Sequence, residues 1–203
     1  MNKDNQDTSV KKVRTRIAPS PTGFPHVGTA FQALFDWVYA KKHQGRFVMR
    51  IEDTDQKRFI PEAEEVLHQA FAWLGITPDE GPDIGGEFGP YRQSERLDLY
   101  QKYAKQLVDQ GDAYYCFCSP KRLEEVREKQ RQAGIPPKYD KHCRSLDQTQ
   151  VQTRLESGEK AVIRLKVPEN ETINVFDKLR GKVEFDSNLV DDQVLLKSDG
   201  FPT

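Results

Sequence analysis

The run Arg16-Ile17-Ala18-Pro19-Ser20-Pro21-Thr22-Gly23-Phe24-Pro25-His26-Val27-Gly28-Thr29 constrains this chain more than any other stretch. Three prolines and a glycine in seven residues forbid strand or helix from running through Pro19 to Pro25. Before them, Val13 to Ala18 suits a short buried strand. After them, apolar side chains recur at Phe31, Leu34, Phe35, Val38 and Tyr39, the stripe of a helix with one buried face that stops at Gly45. A helix entered from such a loop points its free N–H groups and positive dipole end at whatever lies in the turn. Gly23 and Gly28 let a polyphosphate approach, and His26 is placed to donate to it. A plain strand–turn–helix with a capping turn has the same composition and stays open at this point.

A second segment favours the phosphate reading. Phe47 to Ile51 is a compact apolar run suited to a central parallel strand, and Glu52, Asp53, Thr54 and Asp55 follow at its carboxyl end, where open parallel sheets bind ligands. Strand, loop, helix and strand make a mononucleotide-binding half, so the fold class is α/β with a Rossmann-like parallel sheet. Downstream, Pro61 opens a helix that Gly75 and Pro78 end, and Ser94 is expected to cap the next, which runs to Gly111. A charged helix begins at Ser119-Pro120, Asp147 caps another, and Ala161–Val167, Val183–Phe185 and Val194–Leu196 read as strands. With 36% hydrophobic and 31% charged residues and a net charge of −1 over 203 residues, the chain is an ordinary globular composition and not a uniformly basic nucleic-acid binder. No apolar run reaches membrane-spanning length, and residues 1–13 form a polar tail without signal or transit pattern, expected to be disordered.

Ala-Pro-Ser-Pro-Thr-Gly with Pro-His-Val-Gly-Thr, then Arg-Ile-Glu-Asp-Thr-Asp, Gly89-Pro90-Tyr91-Arg92-Gln93-Ser94-Glu95-Arg96 and Leu195-Leu196-Lys197-Ser198-Asp199-Gly200-Phe201-Pro202-Thr203 together resemble the bacterial-type glutamyl-tRNA synthetases, a class I aminoacyl-tRNA synthetase family. The resemblance covers roughly residues 14–203. It implies that 14–91 is the first half of a Rossmann-like catalytic domain and that 92–201 is an α+β insertion gripping the tRNA acceptor stem. Residues 202–203 would begin the return to the catalytic domain. It implies further a second catalytic half, a Lys-Met-Ser-Lys-Ser-like ATP loop and an anticodon-binding domain, so the chain is expected to be a fragment with negligible activity alone. The implied chemistry is activation of L-glutamate by ATP with Mg²⁺, and transfer to the 3′ end of tRNA(Glu), in a cytoplasmic monomer without membrane attachment.

Carried over by motif, His26 and Thr29 occupy the two histidine positions of the class I signature, and Pro25, His26, Gly28 and Thr29 would hold ATP. Arg16, Ala18, Ser20 and Glu52 would bind glutamate, Arg16 through its carboxylate and Glu52 through its ammonium group. Thr54, Asp55 and Arg58 would lie near the tRNA 3′ end. In isolation these polar residues would read as a solvated loop with surface ion pairs.

All three cysteines, Cys116, Cys118 and Cys143, fall within 114–145, which suggests a metal or reduced thiols rather than a disulfide framework. The family and its glutamyl-queuosine relatives include members with structural zinc at this place. Where some members have a histidine two residues after the last cysteine, this chain has Ser145. Tyr139 matches relatives that use a tyrosine oxygen, and His142 is a better ligand chemically but is strained by its adjacency to Cys143. Two other functions stay open: a glutamyl-queuosine tRNA(Asp) synthetase, and a non-catalytic module binding the acceptor stem through basic residues such as Lys121, Arg122, Arg127, Lys129, Arg131, Lys138, Lys141 and Arg144.

Overall fold

The structure, a computed structural model, describes residues 12–177 and 179–203. The tail expected to be disordered lies outside these residues as far as Lys11. The chain divides into two compact units, one ending at Arg96 and one beginning at Leu97.

The first unit is a strand–helix–strand crossover. β1 (Arg14–Ile17) and β2 (Arg46–Met49) run parallel, with Arg14 opposite Arg46 and Ile17 opposite Met49. α1 (Val27–Lys42) connects them and packs on both. Gly45 is dictated by the return: a Cβ there would stand 2.2 Å from the carbonyl oxygen of Val13, to which Arg46 N–H donates at 2.8 Å. On the far side of β2 the chain comes back twice in parallel, at Val48 with Glu80 and at Ile51 with Arg92, so β2 is central as expected. α2 (Pro61–Trp73) has proline in its first turn and Glu62 and Glu64 at its positive end, both favourable there. The core joins Ile17, Phe47, Met49, Ile51, Leu67, Phe71 and Ile76, and burial of each of its large side chains contributes about 1.5–3 kcal/mol.

One expectation is overturned. The helix forms, but its predicted buried stripe faces outward: Phe31 is 63% exposed, Phe35 62% and Tyr39 53%, while Ala33 and Ala40 are fully buried. The helix meets the strands through these small residues, which allow close approach, with Trp37 packed at the margin. The bulky apolar residues are left on the opposite side.

The second unit packs α3 (Leu97–Gln110) on an antiparallel sheet of β3 (Ala113–Cys116), β4 (Val162–Leu165) and β7 (Val194–Leu196) in the order β3-β4-β7. α3 carries the expected inward face, with Ala104 buried beside Tyr100, Leu107 and Val108. Two helices lie between β3 and β4. Ser119 caps α4 (Pro120–Gln132) by accepting from Arg122 N–H, and Asp147 caps α5 (Gln148–Glu156) in a reciprocal box with Gln150. β5 (Thr172–Asp177) and β6 (Gly181–Asp186) form a separate hairpin. No described helix is long and apolar enough to cross a membrane.

Candidate active site

The loop after β1 forms the mouth of a cavity of about 240 Å³ at the start of α1, lined by Ser20, Pro25, His26 and Thr29 from the loop and helix and by Glu64 and Leu67 from α2. His26 is the N-cap: its Nδ1 accepts from Gly28 N–H at 3.0 Å. In the neutral ring this assigns the proton to Nε2, the atom free to donate to an anion. The cap and the anion-donor readings of His26 are therefore compatible. Gly28 is required by the ring itself, because a Cβ would lie 2.6 Å from His26 Cε1. At Gly23 a Cβ would meet nothing within 4 Å, so the loop there is open.

A second hollow of about 230 Å³ is lined by Arg14, Arg16, Arg50 and Arg96 with Phe88 and Tyr91. The pleat explains it: Thr15 and Ile17 turn toward the helix side, where Thr15 Oγ1 donates to the Asp36 carbonyl at 2.8 Å, so Arg14 and Arg16 project to the other face. Arg14 is paired with Glu80 at 2.6 Å, and Arg96 donates to the carbonyls of Phe88 and Pro90. Arg16 and Arg50 share Glu52, Arg50 through Nε and Nη2 at 3.2 and 3.1 Å and Arg16 at 3.4 Å. Glu52 N–H donates to the Pro19 carbonyl at 2.8 Å, which ties the strand tip to the loop between Ala18 and Ser20. Arg16 and Glu52 thus stand together, next to the residues of the first cavity.

The rest of the acidic tip is not equivalent. Asp53 is buried and holds Ser94, accepting from its N–H at 2.9 Å and from its hydroxyl. Ser94 thus fastens the strand tip instead of capping α3, which follows a short 3-10 turn, Gln93–Arg96. Asp55 pairs with Arg58 on the surface at 2.6 Å, and the Arg58 guanidinium holds the Asp55 carboxyl below its ordinary value. Thr54 is half-buried between them and the strand tip. Sequence reasoning assigned no role to Gln93, which is buried and whose Nε2 donates to both oxygens of Glu52 at 3.1 and 3.0 Å. Its signal was its place in the Tyr91–Arg96 block, directly after the residue that bridges to the strand tip.

In the second unit the sulfur atoms of Cys116, Cys118 and Cys143 all lie within 4.8 Å of one another. Tyr139 Oη is 3.2 Å from Cys116 Sγ and 3.5 Å from Cys118 Sγ, and accepts from Cys143 N–H at 3.0 Å. His142 is not part of this cluster. Burial raises the Cys116 thiol, but hydrogen bonding to Tyr139 and the nearby Arg164 guanidinium outweigh it and leave it below its ordinary value. Burial pushes Cys118 up to about 11. Three sulfurs in one cluster with a phenol oxygen at its edge are a donor set suited to tetrahedral zinc. Of the basic residues considered for phosphate contact, Arg122 pairs with Asp140, Arg127 and Arg131 with Glu124, Lys141 with Glu169 and Arg144 with Asp192, while Lys138 donates to the Asn188 carbonyl.

A parallel crossover with a capped helix start, and a carboxylate between two arginines at the strand tip, sets a helix N-terminus and a charged cluster at the carboxyl end of a parallel sheet, where α/β folds hold ligands. The chain belongs to the class I tRNA synthetases (E and Q), catalytic-domain family, which it matches over residues 12–203. It is 56% identical to the glutamate–tRNA ligase of Fusobacterium nucleatum over 194 residues, 95% of this chain and 38% of that protein. With the Cellvibrio japonicus ligase it shares 53% identity, over 96% of this chain and 38% of that protein. The crystal structure of a glutamate tRNA ligase from Elizabethkingia meningosepticum in complex with its amino acid superposes with a TM-score of 0.87 at 42% identity, over 95% of this chain and 40% of that one. The chain spans about 38% of the length of these curated relatives.

Proposed function

We propose that this chain binds ATP and L-glutamate for a glutamate–tRNA ligase: it holds the two where the glutamate carboxylate can attack the α-phosphorus, ahead of transfer to the tRNA 3′ end in the cytoplasm. The observation that carries this reading is the pairing of Arg16 with Glu52 at the tip of β2, next to the α1 start that His26 caps. One guanidinium matches a carboxylate and one carboxylate an ammonium; with the α-carboxylate committed to the α-phosphorus, the carboxylate left for Arg16 is that of an acidic side chain. The His26 Nε2, Thr29 and the first N–H groups of α1, with Pro25 and Gly28 shaping the turn, face the phosphates and screen charge that develops on phosphorus. Mg²⁺ would arrive with ATP. Ser20 and the Ala18 backbone lie between the two ligands, and Thr54, Asp55 and Arg58 flank the place where the terminal ribose would enter.

The test is calorimetric titration with a non-hydrolysable glutamyl-adenylate analogue. Arg16→Ala and His26→Ala are expected each to weaken binding about tenfold or more, roughly 1.4 kcal/mol. Unchanged affinity in both variants would refute the reading.

We further propose that Cys116, Cys118 and Cys143 bind structural zinc, with Tyr139 at the fourth position. The metal would cross-link β3 to the segment before α5 and supplies no chemistry to the reaction. Metal analysis should find about one zinc per chain, lost in Cys143→Ser. A metal-free protein purified under reducing conditions with zinc present would contradict this.

A further inference from the structure

We propose that Gln93 is a positioning residue for amino-acid recognition: its carboxamide fixes the plane of the Glu52 carboxylate so that Oε2 meets the ammonium group of the bound substrate. This rests on the reading of Glu52 as the ammonium-binding residue and deepens it.

The hydrogen bonds divide unevenly over the two oxygens. Both arginines place their donors on Oε1, Arg50 at 3.2 and 3.1 Å and Arg16 at 3.4 Å. Of these three side chains, Gln93 alone also reaches Oε2, at 3.0 Å. Two guanidiniums on one oxygen would leave the carboxylate free to pivot about that anchor. A donor spanning both oxygens removes the pivot. Because the carboxamide is neutral, it adds no third positive charge to the two guanidiniums already on Oε1. A lysine or arginine at this position would occupy the site as a permanent counter-ion.

The segment that carries Gln93 is held by other bonds as well. The Gln93 backbone N–H donates to the Ile51 carbonyl at 3.0 Å, and Ser94 ties the same segment to Asp53. Gln93 is 7% exposed, so its orientation is set by packing and does not have to be selected on binding. Such fixed supporting groups determine how well a recognition group holds its productive geometry.

The test compares L-glutamate with glutarate, which keeps both carboxylates and lacks the ammonium group, by NMR titration of the 203-residue chain. The parent chain should prefer glutamate by about tenfold or more, the range of one charge-assisted contact. Glu52→Gln should abolish the preference. Gln93→Ala and the length-preserving Gln93→Met should reduce it to within about threefold, on the same scale, while glutarate binds as to the parent chain. If Glu52→Gln loses the preference but both Gln93 variants keep it, the positioning role is wrong and the ammonium reading stands. A Gln93 variant that loses glutarate and glutamate equally shows a role in the fold, and also overturns the proposal. If the parent chain does not distinguish the two ligands, the reading of Glu52 falls and this inference with it.

Discussion

Glu52 in the first unit and Asp192 in the second are both carboxylates paired with arginine, yet one cluster stays open to solvent and the other is closed. Asp192 is fully buried. Its side chain accepts from Arg144 at 3.2 and 3.1 Å, from the Tyr114 hydroxyl at 2.6 Å and from Val167 N–H at 3.1 Å, and its carbonyl accepts from Arg164 at 2.8 Å. Every direction from which a partner could come is already taken, and burial together with Asp192 raises the Tyr114 hydroxyl so that it remains a donor. Glu52 keeps a quarter of its side chain accessible, 26%, and its guanidinium donors crowd one oxygen. A charged cluster closed on itself fixes a fold. One that keeps part of its carboxylate side chain accessible has room for a further partner.

This contrast can be broken by mutation. The largest expected effect is at the closed cluster: Asp192→Ala leaves Arg144 without its counter-charge and the Tyr114 hydroxyl and Val167 N–H without their acceptor, and should destabilise the second unit by about 3–5 kcal/mol, read by chemical denaturation. Asp79 is an intermediate case. Burial works against its charge, but the Phe47 N–H and Lys41 outweigh it and leave its carboxyl below the ordinary 3.8. Asp79→Ala should cost about 1.5–3 kcal/mol near neutrality. Because its folded pKa is depressed, this contribution is present above 3.8 and is lost as pH falls through the folded value. The difference between parent and variant should therefore shrink on acidification below about pH 4, and a difference that grows would contradict the assignment. At the open cluster the effect moves from stability to binding: Glu52→Gln should alter stability by no more than about 0.5 kcal/mol, while glutamate affinity falls about tenfold. At the helix start, His26→Ala removes a cap whose loss costs about 1 kcal/mol, read as a lowered melting temperature.

Sequence made the crossover legible because its punctuation is local: prolines and glycines stop elements wherever they fall, and caps such as Ser119 and Asp147 act on the next turn. It misplaced the buried face of α1, because periodicity reports that bulky apolar residues share a side and not which side meets the sheet. Ala33 and Ala40 carry that contact, and small residues weigh little in such a pattern. β3 and β5 were not anticipated, although Ala113-Tyr114-Tyr115-Cys116 and Thr172–Asp177 have strand-like composition. Their pairing is with β4 and β6, and only distant partners make such short runs into strands. At the proposed site, Arg16, Glu52 and His26 were singled out by motif. Gln93 was not, because its role exists only once the fold returns residue 93 to the strand tip, 41 positions from Glu52.

In the proposed function, one ligand bridges the open carboxylate and the helix start. A crystal structure of the chain with a glutamyl-adenylate analogue tests it most directly. The account predicts a carboxylate on Arg16, the ammonium nitrogen within hydrogen-bonding distance of Glu52 Oε2, and the phosphate or its surrogate against His26 Nε2 and the first turn of α1. An analogue seated away from both clusters, or bound while Glu52 Oε2 and His26 Nε2 stay unengaged, would contradict it.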